Sequence, residues 1–236
     1  MGLYDTYLAT RHRLHDAEPP AHVALVLTER DLLADGAFDT LSSAIGWAFE
    51  YGAERVTVSV SVLDGAVAPT LIRELRRLDV PAETVVRGPD ADAPGEAGSD
   101  LGGDSAAGDA DAPGEAGSDL GGDSAAGDAD APVRILVGLG GKAEFAGAVR
   151  ELANDVAAGE ITPDAIDEAD VSERLLFPEE PDLVIKTGAE RLSDFAIWQS
   201  VYAELYFTDV NWRDFRRREY LRAVLDFQDR QRRFGR

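Results

Sequence analysis

In VRILVGLGGKAEFAGAVRELANDVAAG, residues 133–159, a short aliphatic run stops at Gly138, and past Gly140 and Gly141 the apolar residues recur at helical spacing until Gly159. A continuous apolar run that gives way to a 3.6-residue period marks a strand feeding a helix. Because the run is nearly unbroken in apolar character, it reads as a parallel strand buried on both faces. The glycines between strand and helix match neither GxGxxG nor a Walker spacing, so they do not make a phosphate loop by themselves.

The same unit recurs to either side. HVALVL (22–27), RVTVSVSV (55–62), AETVVR (82–87) and DLVIK (182–186) are further strands. Residues 38–51, 69–78, 142–158, 163–176 and 212–233 have helical spacing, with Gly52 and Gly159 as stops and Thr162-Pro163 as a start. This alternation predicts an α/β fold: a mostly parallel central sheet flanked by helices and joined by right-handed crossovers.

The alternation is interrupted once. The 19-residue unit DADAPGEAGSDLGGDSAAG occupies 90–108, repeats identically at 109–127 and begins again at 128–132. Gly, Ala, Asp and Ser offer almost nothing to bury, so the tract is expected to be a disordered acidic insertion. Each unit holds one Leu and no strand pattern, which does not build a solenoid. The chain therefore divides into residues 1–89 and 133–236, two halves of one α/β domain, around a repeat insertion at 90–132.

Charge narrows the setting. There are 23 basic and 45 acidic residues, a net charge of −22, and Lys142 and Lys186 are the only lysines. Dense carboxylates with little lysine suit a protein in concentrated salt, where repulsion between them is screened within a few ångströms. A halophilic cytoplasm is the expected setting. Nucleic acid is not an expected partner, since binding it relies on basic patches, and the run from Arg213 is the one local exception. The chain has no cysteine, so neither disulfides nor thiolate metal sites are available. No run approaches the ~18 apolar residues of a membrane span, so a soluble protein with at most peripheral membrane contact is expected.

The chemistry concentrates in residues 181–215, PDLVIKTGAERLSDFAIWQSVYAELYFTDVNWRDF. A strand ending in Lys186-Thr187 is followed by Gly188 and Glu190, then Arg191-Leu192-Ser193, Trp198-Gln199 and Tyr202-Ala203-Glu204. These steps resemble the cis-prenyltransferase family, the polyprenyl diphosphate synthases that include undecaprenyl diphosphate synthase. The likeness continues upstream in residues 139–168, where Lys142 stands at an arginine of the family's Tyr-Gly-Gly-Arg segment. It also reaches the C-terminus, where Arg233 and Gly235 match a terminal Arg-x-Gly.

The resemblance implies that Lys186, Arg191 and Ser193 hold isopentenyl diphosphate, that Glu204 approaches Mg²⁺, and that Arg233 reaches a neighbouring subunit's substrate. An arginine in a strand-to-helix loop is otherwise simply exposed, and Arg233 is otherwise the basic end of a helix, complementing its dipole. Lys186 stands where the family has arginine, and a point charge orients a diphosphate less well than a planar fork. The aromatics Trp198, Tyr202, Tyr206 and Phe207 read as core packing.

One departure matters most. The family's first strand runs from His-x-Ala into Met-Asp-Gly-Asn, whose Asp binds Mg²⁺ beside the allylic diphosphate. Here His22-Val23-Ala24 leads instead into Thr28-Glu29-Arg30-Asp31. Thr28 takes the aspartate's place. Glu29 and Asp31 are displaced along the loop, and the glycine that lets a backbone approach phosphate is missing. The helices that would wall a prenyl tunnel are also short.

The resemblance therefore implies a divergent homologue, a noncatalytic subunit that supports an active paralogue in making polyprenyl diphosphate. The expected partners are that paralogue or a second copy of the chain, with isopentenyl and allylic diphosphates as ligands and Mg²⁺ as cofactor of the active complex. Two alternatives stay open: an active synthase with a metal site rebuilt on Glu29 or Asp31, and a protein that binds isoprenoid diphosphates without catalysis.

Overall fold

The computed structural model describes residues 2–88, 131–175, 179–188 and 198–234. Residues 90–130 of the repeat tract, Arg191 and Ser193 lie outside the described residues, as does the side chain of Arg233.

Six strands form one sheet: β1 (His22–Thr28), β2 (Arg55–Ser61), β3 (Thr84–Arg87), β4 (Val133–Val137), β5 (Leu183–Thr187) and β6 (Glu204–Thr208), in the order β3-β4-β2-β1-β5-β6. Every neighbouring pair is parallel. The expected mostly parallel α/β sheet is present. β1, β4 and β5 are buried along almost their whole length, which is why their sequences are aliphatic without alternation.

The two faces differ in chemistry. Val23, Leu25 and Leu27 of β1 share one face with Val56, Val58 and Val60 of β2 and with Ile135 and Ile185. That face packs under α1 (Leu3–Arg13), α3 (Ala37–Glu50), α4 (Ala68–Leu75) and the C-terminal helix α7 (Arg217–Phe234). The opposite face, set by the two-residue side-chain period, carries a small apolar cluster of Ala24, Val26, Leu136 and Val184. In register with that cluster stand Thr57, Ser59, Arg134 and Lys186, all buried. Beyond the sheet run α5 (Gly141–Ala158) and α6 (Glu168–Ser172), and a four-residue helix, α2 (Glu29–Leu32), follows β1 directly.

Three expectations change. The helix expected over 163–176 is a 3-10 turn at Pro163–Ala165 followed by the short α6. Ile166 is extended, and the Asp167 carboxylate then caps the backbone of Ala169 and Asp170, so a new helix starts there. Likewise the helix expected from Trp212 begins only at Arg217, because Phe215 is extended after the 3-10 turn Trp212–Asp214. β6 was not expected as a strand. It lies on the sheet's edge and is only partly buried, so its sequence lacks the aliphatic run of the inner strands.

Candidate functional site at the ends of strands 1 and 5

β1 connects to its neighbour β2 on one side, while β5 and β6 sit on the other, so the connections diverge between β1 and β5. In open parallel sheets the ligand crevice lies outside the carboxyl ends of the strands at such a point. Those ends here are Thr28 and the pair Lys186-Thr187.

Thr28 is an N-cap. Its hydroxyl and its backbone N–H both donate to Asp31 Oδ2 at 2.8 Å, and its oxygen also lies 3.3 Å from the Asp31 N–H. This reciprocal capping starts α2 immediately at the end of β1. The neighbouring Glu29 is 8% exposed, and its Oε2 accepts the N–H groups of Leu63 (2.9 Å) and Asp64 (3.3 Å) from the loop after β2. Each carboxylate beside Thr28 thus uses one oxygen to hold backbone.

Lys186 pairs across the sheet with Val26 and is 4% exposed. Its Nζ donates to the Thr187 carbonyl at 3.1 Å. Burial lowers the ammonium's pKa from the ordinary lysine range, while the Asp31 carboxylate acts in the opposite direction. The hydroxyl of Thr187 is buried without a hydrogen-bond partner among the described residues. Gly188 follows at φ 72, and its N–H donates to the Thr208 carbonyl of β6, which turns the chain away from the strand end.

Of the other expected site residues, Glu204 starts β6 and accepts a hydrogen bond from Arg230 of α7 at 2.8 Å. Trp198 stacks on Phe145 of α5 at 5.7 Å and donates to Ser172 Oγ at 3.0 Å. Gln199 Nε2 donates to Glu144 Oε1 at 3.2 Å. These two motif residues therefore dock their segment onto α5. The core-packing expectation fails for Tyr202, which lies in the turn before β6 and is 83% exposed, and for Phe207 of that edge strand, at 37%.

His22 of the His-x-Ala motif stands at the opposite end of β1 from this crevice. Its Nε2 meets Thr57 Oγ1 at 2.8 Å and its Nδ1 meets the Glu180 carbonyl at 3.2 Å. Burial lowers its pKa to about 4, only partly offset by the Glu180 hydrogen bond. The motif histidine ties strands together and takes no part in the crevice.

Sequence reasoning missed a cleft of about 250 Å³ beside α2, lined by Arg30, Asp31, Ala34, Asn211, Trp212 and Arg213. It also missed the tether made by Glu29. The Thr28-x-x-Asp31 spacing was itself a readable capping signal.

A divalent cation such as Mg²⁺ needs several oxygen ligands in near-octahedral geometry. Among the described residues, no three His, Asp or Glu side chains come together to offer them. The carboxylates nearest Thr28 each have one oxygen, Asp31 Oδ2 and Glu29 Oε2, on backbone or capping donors, and the Lys186 ammonium is close enough to feel the charge of Asp31. These residues do not fit Mg²⁺.

Residues 122–235 match the family described as "Putative undecaprenyl diphosphate synthase". The tritrans,polycis-undecaprenyl-diphosphate synthase (geranylgeranyl-diphosphate specific) of Methanopyrus kandleri is 49% identical over 100 residues, 41% of this chain and 37% of that protein. Isoprenyl transferase 1 of Streptomyces coelicolor is 44% identical over 99 residues, 41% of this chain and 36% of that protein. The chain thus spans little more than a third of the length of these relatives. Among solved structures, lavandulyl diphosphate synthase from Lavandula x intermedia, in complex with dimethylallyl diphosphate, superposes with a TM-score of 0.61 at 20% identity, covering 89% of this chain and 95% of that one. A probable undecaprenyl diphosphate synthase from Campylobacter jejuni gives 0.56 at 18% identity, covering 92% and 99%. At such identities the superpositions speak to the fold alone.

Proposed function

We propose a subunit role for this chain, which belongs to the cis-prenyltransferase family through residues 122–235: it supports an active paralogue in making polyprenyl diphosphate, a lipid carrier for glycans. The observation that carries this reading is the end of β1. Thr28 stands there as a helix cap, with Asp31 and Glu29 held by hydrogen bonds from the chain itself. Ionisation of an allylic diphosphate needs a cation on the leaving group; at this strand end Thr28 offers no carboxylate, and Asp31 and Glu29 each have one oxygen held by donors of the chain itself. The polar sheet face supports the same reading. Thr57, Ser59, Arg134 and Lys186 surround an apolar cluster of only four buried residues, a poor wall for a long hydrocarbon.

In this reading the chain contributes the isopentenyl-diphosphate half of the site, with Lys186, Arg191 and Ser193, and a C-terminal tail carrying Arg233. The paralogue contributes Mg²⁺ and its ligands. Purified alone, in high salt with allylic diphosphate, isopentenyl diphosphate and Mg²⁺, the chain is expected to be inert. Pulled down from its native host, it is expected to bring an active synthase whose elongation falls when the chain is removed. Robust elongation by the chain alone refutes the subunit role, and loss of that turnover in Glu29→Ala or Asp31→Ala would then place a rebuilt metal site on those residues.

A further inference from the structure

We infer that the outer face of α1 docks on α1 of a second copy of this chain, with the two helices antiparallel about a two-fold axis. The contact uses no residue of the crevice, and it goes beyond the subunit reading by giving the chain a surface for its own kind.

α1 is fixed along one side and bare along the other. Leu8, Ala9 and His12 are buried; His12 Nδ1 meets Gln228 Oε1 of α7 at 3.1 Å, and Arg11 pairs with Asp229 at 2.8 Å. Half a turn away, by the 100° step of a helix, stand Leu3, Tyr7, Thr10 and Leu14. Spacings of four, three and four are those of a coiled-coil seam. Leu3 is 93% exposed, Tyr7 59% and Leu14 78%, with Tyr4 beside the seam at 48%. Leu14 stays in line because its N–H donates to the Thr10 carbonyl. Large apolar side chains contiguous along one helix mark an interaction site, unlike the same residues scattered singly. Tyr4 stacks on Tyr7 at 6.2 Å and carries the Arg222 guanidinium of α7 over its ring, so the aromatic pair is ordered before a partner arrives.

Three features select a second copy and an antiparallel pairing. Positions 3, 7, 10 and 14 are symmetric about the middle of the helix, so an antiparallel copy sets Leu3 against Leu14 and Tyr7 against Thr10 in both directions at once. Large then packs beside small, whereas a parallel pair would oppose Tyr7 to Tyr7 and leave a gap at Thr10. The second feature is a hollow of about 340 Å³ along the C-terminal half of α1, with Tyr7, Thr10, Leu14 and His15 in its wall. In the antiparallel pair it faces Leu3 of the other copy, the most exposed large apolar side chain among the described residues. The third is charge. Arg11 and Arg13 lie in the last turn, so antiparallel helices keep the two sets of arginines at opposite ends, while parallel ones would bring them side by side. Exposed tyrosines and leucines each offer on the order of 150 Å², and with the flanking arginine stems four of them approach the ~800 Å² per partner of a standard interface. At a net charge of −22 the copies repel one another, so the association is expected to strengthen as salt screens that charge.

The test exploits a chain without cysteine. Leu3→Cys and Leu14→Cys in one chain are expected to give a disulfide-linked dimer when oxidised with copper–phenanthroline in concentrated KCl. Either variant alone is expected to stay unlinked, because identical positions lie about 16 Å apart along the antiparallel pair and a disulfide spans at most about 7 Å between Cα atoms. Sedimentation equilibrium of the full chain measures the affinity. Leu14→Glu should raise the dissociation constant at least about tenfold by placing a carboxylate in the seam, and Thr10→Leu should lower it. These positions are exposed, and circular dichroism should show an unchanged fold. Absence of the link between positions 3 and 14 overturns the inference, as does Leu3→Cys linking to itself. Binding of the chain to phosphatidylglycerol vesicles that is lost in Leu14→Glu, with no such link formed, would give the seam to a membrane and overturn it equally.

Discussion

Acidification to about pH 5 should destabilise this chain through one histidine. His22 is 7% exposed, and burial lowers its pKa to about 4, against 6.5 for the free side chain. Its neutral ring is held by Thr57 Oγ1 and the Glu180 carbonyl, with Arg55 nearby opposing a second positive charge. Since the folded pKa lies below the unfolded one, the unfolded chain takes up the proton first as pH falls. The contribution is complete above the unfolded value, declines from about pH 6.5, and is fully lost below about pH 4. Each unit in that window is worth about 1.4 kcal/mol, so near pH 5 His22 alone removes about 2 kcal/mol. The acidic surface contributes its own pH dependence, so the measurement is a difference: urea unfolding of wild type and His22→Gln near pH 7.5 and pH 5, at constant salt. Gln cannot ionise and can still reach Thr57. Wild type should lose about 2 kcal/mol more than the variant across the interval. Equal losses, within about 0.5 kcal/mol, would show that the ring is not held neutral and would refute the assignment of His22 to a buried structural role.

Two further perturbations probe the scaffold. Gly52, which ends α3, has φ 104, and a Cβ there would lie 2.6 Å from Pro19 Cγ; Gly52→Ala should cost about 1–3 kcal/mol in urea unfolding. On the polar sheet face, both terminal nitrogens of Arg134 donate to Glu179, at 2.5 and 3.0 Å. Burial would raise the Glu179 carboxyl, but the Arg134 hydrogen bond and the charges of Arg134 and Arg55 outweigh it and hold it below the usual carboxylate range. Arg134→Ala should cost about 1–3 kcal/mol, less than for a fully buried pair because the Glu179 side chain is 30% exposed, and Arg134→Met should recover part of the loss.

The strands legible in the sequence are those buried on both faces. β1, β2, β4 and β5 were placed within a residue or two because short runs rich in aliphatic and β-branched residues belong in the middle of a covered parallel sheet. β6 escaped for the converse reason. ELYFT lies at an edge, mixes charge with aromatics, and becomes a strand only because β5 offers it a hydrogen-bonding partner in register from Leu183↔Glu204 to Thr187↔Thr208. Helix boundaries at Asp167 and Arg217 failed where a local cap or an extended residue competes with the period.

For the site, residue identity and residue availability came from different places. The sequence by itself determined the α/β alternation, the likeness of residues 181–215 to a diphosphate-binding motif, and the presence of Thr28 where a metal-binding aspartate was expected. Those are properties of local composition and spacing, which a linear chain displays. Only the tertiary structure decided that Asp31 and Glu29 each give an oxygen to the Thr28 cap and the loop after β2, that His22 belongs to the far end of its strand, and that Lys186 is buried near the carboxyl end of β5. The Glu29 contact links residues 34 and 35 positions apart, and the side-chain contact of Arg230 with Glu204 spans 26. Whether a carboxylate is free to hold a cation depends on which donors the folded chain brings to it, and no spacing along the sequence carries that.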